Sequence, residues 1–283
     1  MHAFASRHGK CGAQSVVHGI VFTDVSQSIE IIFSSVLQLT IFFGMMTTPQ
    51  LSAPIIFAPS DLEADPALIY QITKLCNDAF RRSKEQDPEK WSARPRFETP
   101  QKYKDMLDDE SVVAIIFDRG GNGNQAVNGD QQKEGATEGS SRGKVVACAA
   151  AVPWKGGWAK EGASTEDGFE IKAICVDRDA KYLRRGLAIQ LMDCLQNHLI
   201  QLANSRNRDH GENCASGTGL ETDEKRARLT LWILAAECIN GVYWRKRGYR
   251  EVRRTTEGAG TWGCQTSFDM VVLRKVVTYN LEA

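Results

Sequence analysis

The sequence predicts a mixed α/β fold, and three observations carry that prediction. Short runs rich in β-branched and aromatic residues recur at 55–58, 111–118, 144–152, 168–176, 228–234, 249–254 and 268–274. Helical periodicities are interleaved with these runs rather than gathered in one half of the chain. One unit, Gly168 to Leu202, reads as strand, basic glycine-bearing loop and long helix in direct succession.

In chain order, 55–58 is a short strand. Asp61 or Asp65 ahead of Pro66 then opens a helix through about Phe80, because proline at a first helical position gives up an N–H that has no partner there. A second short helix is placed near Pro100 to Leu107. Ser111 to Asp118 is apolar almost throughout and pairs antiparallel with Lys144 to Val152 once the residues between them are set aside. Those residues, 119–142, hold six glycines among Asn, Gln, Ser and Glu with no hydrophobic period, and read as a flexible insert. Long surface loops cost little extra closure entropy.

In the central unit, Phe169, Ile171, Ala173 and Cys175 alternate with Glu170, Lys172, Ile174 and Val176, the period of a strand. A polar loop, 177–182, follows. Leu187, Leu191, Leu195, His198 and Leu202 recur at three- and four-residue steps and give a helix of about five turns one apolar face. A second flexible insert is read at 205–226, then a strand over 228–234, a short helix over 238–247, and the last strands.

Composition bounds the rest. The chain has 283 residues, 35 Lys plus Arg against 35 Asp plus Glu, and 42% hydrophobic residues, which excludes disorder from end to end. With no net positive charge, nonspecific attraction to nucleic acid or anionic lipid is not expected. Eight cysteines are scattered without a C-x-x-C pair, so they read as small hydrophobes in a reducing, cytoplasmic compartment, with no metal expected. Ile31 to Met46 is apolar, yet Ser34, Ser35, Gln38 and Thr40 interrupt it and it falls short of the ~20 residues that span a bilayer. Residues 1–46 are read as a poorly structured extension, the alternative being an anchor formed by 31–46. The domain then spans 47–277, with a tail at 278–283.

The segment with chemistry is Leu183-Arg184-Arg185-Gly186-Leu187-Ala188, between strand and helix. A helix N-terminus leaves backbone N–H groups unpaired and carries partial positive charge, so it favours an anion. Gly186 removes the Cβ that would block close approach, and two arginines add donors suited to phosphate. A pyrophosphate is the expected guest.

From Ile174 to Met192 the sequence, ICVDRDAKYLRRGLAIQLM, resembles the signature segment of the GCN5-related N-acetyltransferases, or GNAT family. The pattern there is Gln or Arg, any two residues, Gly, any residue, then Gly or Ala, and Gly186 and Ala188 fit its spacing. Downstream, Glu237 to Val252 (ECINGVYWRKRGYREV) resembles the family's second motif, a short helix ending in an aromatic pair, a basic turn, Gly and an aromatic. The resemblance covers about Ile55 to Val272. It implies a mixed, mostly antiparallel central sheet with splayed parallel strands 4 and 5, flanked by helices. It also implies acetyl-CoA as co-substrate, with pantetheine along Ile174, Cys175 and Val176, the diphosphate on Arg184, Arg185, Gly186, Leu187, Ala188 and Ile189, and Asn240 added from the second motif.

The implied reaction is direct attack of a primary amine on the thioester, the acceptor being a small molecule, a peptide or a protein, and the enzyme a monomer or dimer. An amine with pKa near 10 must lose a proton to attack at neutral pH. Glu170 aligns with the glutamate that serves as base in the histone-acetylating branch; the alternative is a strand carboxylate paired with Lys172. Counting back from Gly248 puts Trp244 where the family carries its tyrosine acid, and an indole N–H donates a hydrogen bond but is no useful acid. Tyr243, one position earlier, is about 100° around the helix; Tyr243 and Trp244 are both candidates for assisting the departing thiolate, the alternative for Tyr243 being a side chain turned into the core. Leu183 also departs from the Gln or Arg of the first motif. Trp154 and Trp158 flank Gly156 and Gly157 before the central strand, a candidate aromatic wall for the acceptor, and His198 reads as a core or boundary residue. The alternative function is a CoA-binding protein of the same fold with little catalysis. A nucleotide site of the parallel-sheet kind lacks its G-x-G-x-x-G.

Overall fold

The structure, a computed structural model, describes residues 48–120, 142–211 and 226–281, with the backbone alone for 207–211. The N-terminal extension, its apolar segment 31–46 and most of both inserts lie outside the described residues. Seven strands form one sheet: β1 (Ile55–Phe57), β2 (Val112–Asp118), β3 (Lys144–Pro153), β4 (Phe169–Val176), β5 (Arg226–Ala236), β6 (Arg250–Glu257) and β7 (Phe268–Asn280). Their order is β1-β2-β3-β4-β5-β7-β6. Every neighbouring pair is antiparallel except β4 with β5. This is the mixed GNAT sheet that the sequence resemblance implies.

The central strands are apolar because both faces are covered. All seven residues of β2 are buried. In β3, Ala147, Cys148, Ala149, Ala150 and Ala151 are small, which lets helices approach both sides closely. On one face lies α2 (Pro66–Lys84), capped by Asp65, whose carboxylate accepts the Leu68 N–H at 3.0 Å. Its buried stripe, Leu68, Ile69, Ile72, Leu75 and Cys76, meets Ile115, Phe117 and Cys148, with α3 (Pro100–Lys104) adding Tyr103. A short α1 (Pro59–Glu63) precedes α2. On the other face, α4 (Leu187–Gly211) lays Leu187, Leu191, Leu195 and Leu199 against Ala149, Ala151, Ile171 and Leu231.

Several expected boundaries move. The second insert does not begin at 205: α4 continues to Gly211, since no proline or glycine interrupts it sooner and Ser205 Oγ donates back to Gln201 O at 3.0 Å. β5 already starts at Arg226, and β7 runs into the expected tail because Thr278, Tyr279 and Asn280 pair with Arg228, Ala227 and Arg226. The ends of the first insert are tied: Arg119 N–H donates to Gln50 O at 2.8 Å, and Arg142 meets Asp65 at 2.8 Å. Helix α2 extends past Phe80 to Lys84, whereas α3 closes at Lys104 on an Asp105 cap. The expected 238–247 helix opens as a wide π turn, Glu237–Gly241, before α5 (Val242–Lys246). Among the described residues, no helix is long and apolar enough to cross a membrane.

Candidate functional site

The site begins where the sheet parts. Strands β4 and β5 share only two register pairs, Phe169 with Leu231 and Glu170 with Trp232. Gly168 makes that close start achievable: its φ is +105°, and a Cβ there would stand 2.2 Å from Thr230 O. Past Glu170, β4 has no bridge to β5 among the described residues. The cause lies in β4 itself. Cys148 pairs with Cys175 but Ala150 with Lys172, so β4 carries one residue more than β3, and Ala173 takes a left-handed φ of +50°. Such a bulge bends a strand and sharpens its twist, turning the C-terminal half of β4 away from β5. The side chains then divide: Ile171, Ile174 and Val176 pack on the α4 side, and Ala173 and Cys175 on the α2 side. The expected pantetheine residues Ile174, Cys175 and Val176 lie on this parted stretch, although the Val176 carbonyl already accepts from Arg82 Nη2 at 3.0 Å.

The chain after β4 is held by carboxylates. Asp177 Oδ1 accepts Asp179 N–H at 2.9 Å, and Asp179 Oδ1 accepts Lys181 N–H at 3.0 Å. Buried Tyr182 donates its hydroxyl to Asp118 Oδ2 at 2.7 Å, where Lys181 Nζ also lies at 3.2 Å. The other Asp118 oxygen accepts the N–H groups of Gln50 and Gly120 at 3.0 and 2.9 Å. Burial works against the ionised Asp118, but the hydrogen bonds from Tyr182, Gly120 and Lys181 outweigh it and lower its pKa, while burial together with Asp118 pushes the Tyr182 phenol up to about 12. Sequence reading missed this anchor because Asp118 and Tyr182 are 64 positions apart.

Asp118→Ala should destabilise the fold by about 3 kcal/mol at neutral pH in chemical denaturation, because it strands a buried hydroxyl and an ammonium together. A native pKa below the ordinary value means this contribution is full above about pH 4 and fades as pH falls through the lowered native value. A pH-independent difference between the two chains would contradict the role.

The loop ends in two left-handed residues, Arg184 at φ +59° and Gly186 at φ +73°. Gly186 O accepts from Ile189 N and Gln190 N at 2.9 and 3.0 Å, so Gly186 caps α4. The N–H groups of Leu187 and Ala188 have no backbone partner among the described residues, and a Cβ built on Gly186 meets nothing within 4 Å. Open space therefore stands over Gly186, next to two N–H groups that no backbone carbonyl takes. The Leu187 side chain is buried against the core, whereas Leu183, Arg184, Arg185 and Ile189 are exposed. Arg185 folds back so that its Nε donates to Lys181 O, and Gln190 Nε2 reaches Arg185 O at 3.3 Å. Arg184 has no ion pair among the described residues.

Glu170 sits at the apex of the split and is 9% exposed. Lys172 Nζ lies 3.0 Å from its Oε2, two residues along the strand. Burial raises the Glu170 pKa, against the opposing pull of Lys172, Arg96 and Lys155. Arg96, absent from the sequence reading, places its guanidinium 5.6 Å from each of the Phe80, Phe97 and Trp262 rings. Phe97 is its neighbour in sequence, but the Phe80 and Trp262 rings come from distant stretches, so the cluster is not legible locally.

In the second motif the structure separates the two aromatic candidates. Tyr243 does not turn inward: it is 39% exposed, with the Arg247 guanidinium 5.2 Å from its ring. Trp244, 5% exposed, enters the α4-side core edge-on to Tyr249 at 5.6 Å. The indole N–H, the Tyr249 hydroxyl and the Asn240 side-chain oxygen are buried without a hydrogen-bond partner among the described residues. Arg245 grips both oxygens of Glu237 at 2.7 Å and closes the π turn. Because β4 and β5 run parallel, the chains leaving them, with Gly186 and with Asn240, emerge at the same end of the sheet.

Of the candidate acceptor wall, Trp154 is structural. It stacks on Trp232 at 4.6 Å and donates its Nε1–H to Glu166 at 2.9 Å, and Arg253 holds Glu166 in turn. Trp158 is exposed, edge-on to Trp262 at 5.9 Å. His198 is half-buried beside the Leu195–Leu199 stripe, and desolvation lowers its pKa. Three of the cysteines expected to be isolated hydrophobes, Cys76, Cys148 and Cys175, come together inside the protein.

No protein-family model matches the chain, and no curated protein matches its sequence. Solved structures do resemble it. Arabidopsis thaliana NAA60 in complex with a bisubstrate analogue is 14% identical with a TM-score of 0.40, covering 79% of this chain and 99% of its own. Spermidine N-acetyltransferase from Vibrio cholerae, in complex with CoA and spermine, is 10% identical with a TM-score of 0.42, covering 79% and 95%. FeeM, an N-acyl amino acid synthase from uncultured soil microbes, is 10% identical with a TM-score of 0.43, covering 80% and 91%. The fold of this chain is that of the GNAT acetyltransferases, legible in its own strand order and in the parted β4–β5 pair.

Proposed function

We propose that the protein is an acetyl-CoA-dependent N-acetyltransferase that passes an acetyl group to a primary amine of a small molecule, peptide or protein. One observation carries this reading: the parted edge of β4 leads directly into the open N–H groups at the head of α4. An extended amide-bearing arm can add to a strand edge as another strand would, and a diphosphate suits paired amides at a helix N-terminus. Acetyl-CoA has those two parts in that order. Leu187 and Ala188 bind the diphosphate through their main-chain N–H groups with Gly186 clearing the approach, while Ile189, whose N–H is already given to Gly186 O, borders the site through its exposed side chain. Arg184 and Arg185 add charge, and Ile174 and Cys175 hold the pantetheine arm.

Glu170, at the apex of the split, takes the proton from the acceptor amine, directly or through water. Its raised pKa moves it toward the working pH, where a base is most effective. Arg96, Lys172 and Lys155 around it disfavour a second positive charge, which helps the amine to become neutral. The neutral nitrogen attacks the thioester carbonyl, the C–S bond breaks, and the thiolate leaves with a proton from the exposed Tyr243 or from water, the Trp244 indole being enclosed in the core. Asn240 lies in the same post-β5 segment and completes the cofactor-binding set.

The second reading, a CoA-binding protein with little catalysis, draws on the buried Trp244 in place of a tyrosine and the outward Tyr243. Thiol release from acetyl-CoA with a panel of diamines and peptide amines separates the two. Turnover that rises with a particular amine supports the transferase. Micromolar CoA binding with no amine-dependent release supports the binding protein, and failure to bind CoA removes both.

A further inference from the structure

On the α2 side of the sheet, three cysteines from three elements meet: Cys76 of α2, Cys148 of β3 and Cys175 of β4. Their sulfur atoms lie within 4.8 Å of one another, and Cys76 Sγ is 3.7 Å from Cys148 Sγ. All three residues are buried. A trigonal set of thiolates at the usual metal–sulfur length of about 2.3 Å has sulfur–sulfur edges of about 4 Å. The cluster therefore needs less than about an ångström of movement to close on an ion.

Two further features point to an occupant. The Tyr103 hydroxyl, fully buried in the same apolar cluster as the three cysteines, has no hydrogen-bond partner among the described residues. An orphaned buried hydroxyl costs about 1–3 kcal/mol unless something answers it. The guanidinium groups of Arg82 and Arg96 both act on Cys175, and Arg96 also acts on Cys76, so positive charge is at hand to offset thiolates.

We propose that Cys76, Cys148 and Cys175 bind one thiophilic d10 cation of the Cu(I) or Zn(II) class. Soft thiolates select such ions. Three sulfurs out of contact with water suit Cu(I), whereas Zn(II) takes a fourth donor, for which the unpartnered Tyr103 oxygen is the candidate. As three metal–sulfur bonds form, three thiol protons leave to solvent and no oxidation state changes. The ion cross-links α2, β3 and β4 on the α2 face of the bulged strand. This site does not depend on the transferase reading, because none of its side chains handles substrate in that reading.

The test uses the full chain, reduced and kept free of oxygen, loaded separately with Cu(I) and Zn(II) and desalted. One ion retained per chain is expected, with X-ray absorption showing three sulfur neighbours and a thermal midpoint raised by several degrees. Cys148→Ala should bind more than tenfold more weakly, while a chain with Cys11, Cys194, Cys214, Cys238 and Cys264 all changed to serine keeps the ion. Should Cys148→Ala fail to fold, the sulfur count on the unaltered chain still decides. Retention of neither ion, fewer than three sulfur neighbours, or loss of the ion in the five-serine chain overturns the proposal.

Discussion

Replacing Gly186 by aspartate weakens coenzyme A binding by at least about 100-fold, equivalent to about 2.8 kcal/mol, while the chain stays folded. Two physical changes act together. The native φ of +73° is a conformation that a residue with a side chain adopts only under strain, and the space above it is now empty. Any side chain there projects into the approach to the Leu187 and Ala188 amides, and a carboxylate adds repulsion against a diphosphate. Calorimetry with coenzyme A reads the effect, and the thermal midpoint controls for folding. Gly186→Ala should fall between the two, because its Cβ meets nothing in the protein and lacks the charge. Unchanged affinity in the aspartate variant would mean that the diphosphate sits elsewhere.

Glu170→Gln lowers kcat/KM at neutral pH by about 100- to 10,000-fold, the range a positioned general base contributes. In the parent, activity should fall as pH drops through the Glu170 pKa, which burial places above the ordinary carboxylate value. In the variant that limb disappears, and the deficit shrinks at high pH, where free amine is abundant. Stability moves the opposite way. A carboxyl whose native pKa is raised contributes stability below its unfolded pKa and loses it as pH rises through the native value. At neutral pH the buried ionised Glu170 is therefore a cost, so the glutamine chain should melt higher than the parent. The released Lys172 is partly exposed and can turn to water. Lower activity with higher stability is the signature of a charge kept for chemistry, whereas a lower melting point would favour a purely structural ion pair with Lys172.

Much of this fold was legible because its signals are local. Asp65 and Pro66 mark the start of α2, the apolar run 112–117 marks a strand covered on both faces, and the four-residue spacing of leucines from Leu187 marks α4. The loop proposed to take the diphosphate was legible for the same reason: a strand, Gly186 and a helix start are contiguous. What escaped the sequence depends on distant partners. The bulge at Ala173 follows from how β4 registers against β3, and alternation along β4 alone gives no sign of it. The Asp118–Tyr182 anchor, the Arg96 guanidinium among three rings and the three-cysteine cluster join residues far apart in the chain. Which of Tyr243 and Trp244 faces outward is a matter of helix phase. The wide π turn of 237–241 resets that phase just before α5, so counting residues from Gly248 cannot fix it.

In the proposed complex, the unpaired main-chain donors at the head of α4 hold the diphosphate of coenzyme A. A crystal structure of the complex tests it most directly. Diphosphate oxygens are expected within about 2.7–3.2 Å of the Leu187 and Ala188 nitrogens, with the pantetheine arm along Ile174 and Cys175. A diphosphate seated away from Gly186, or no bound cofactor at saturating coenzyme A, would contradict it.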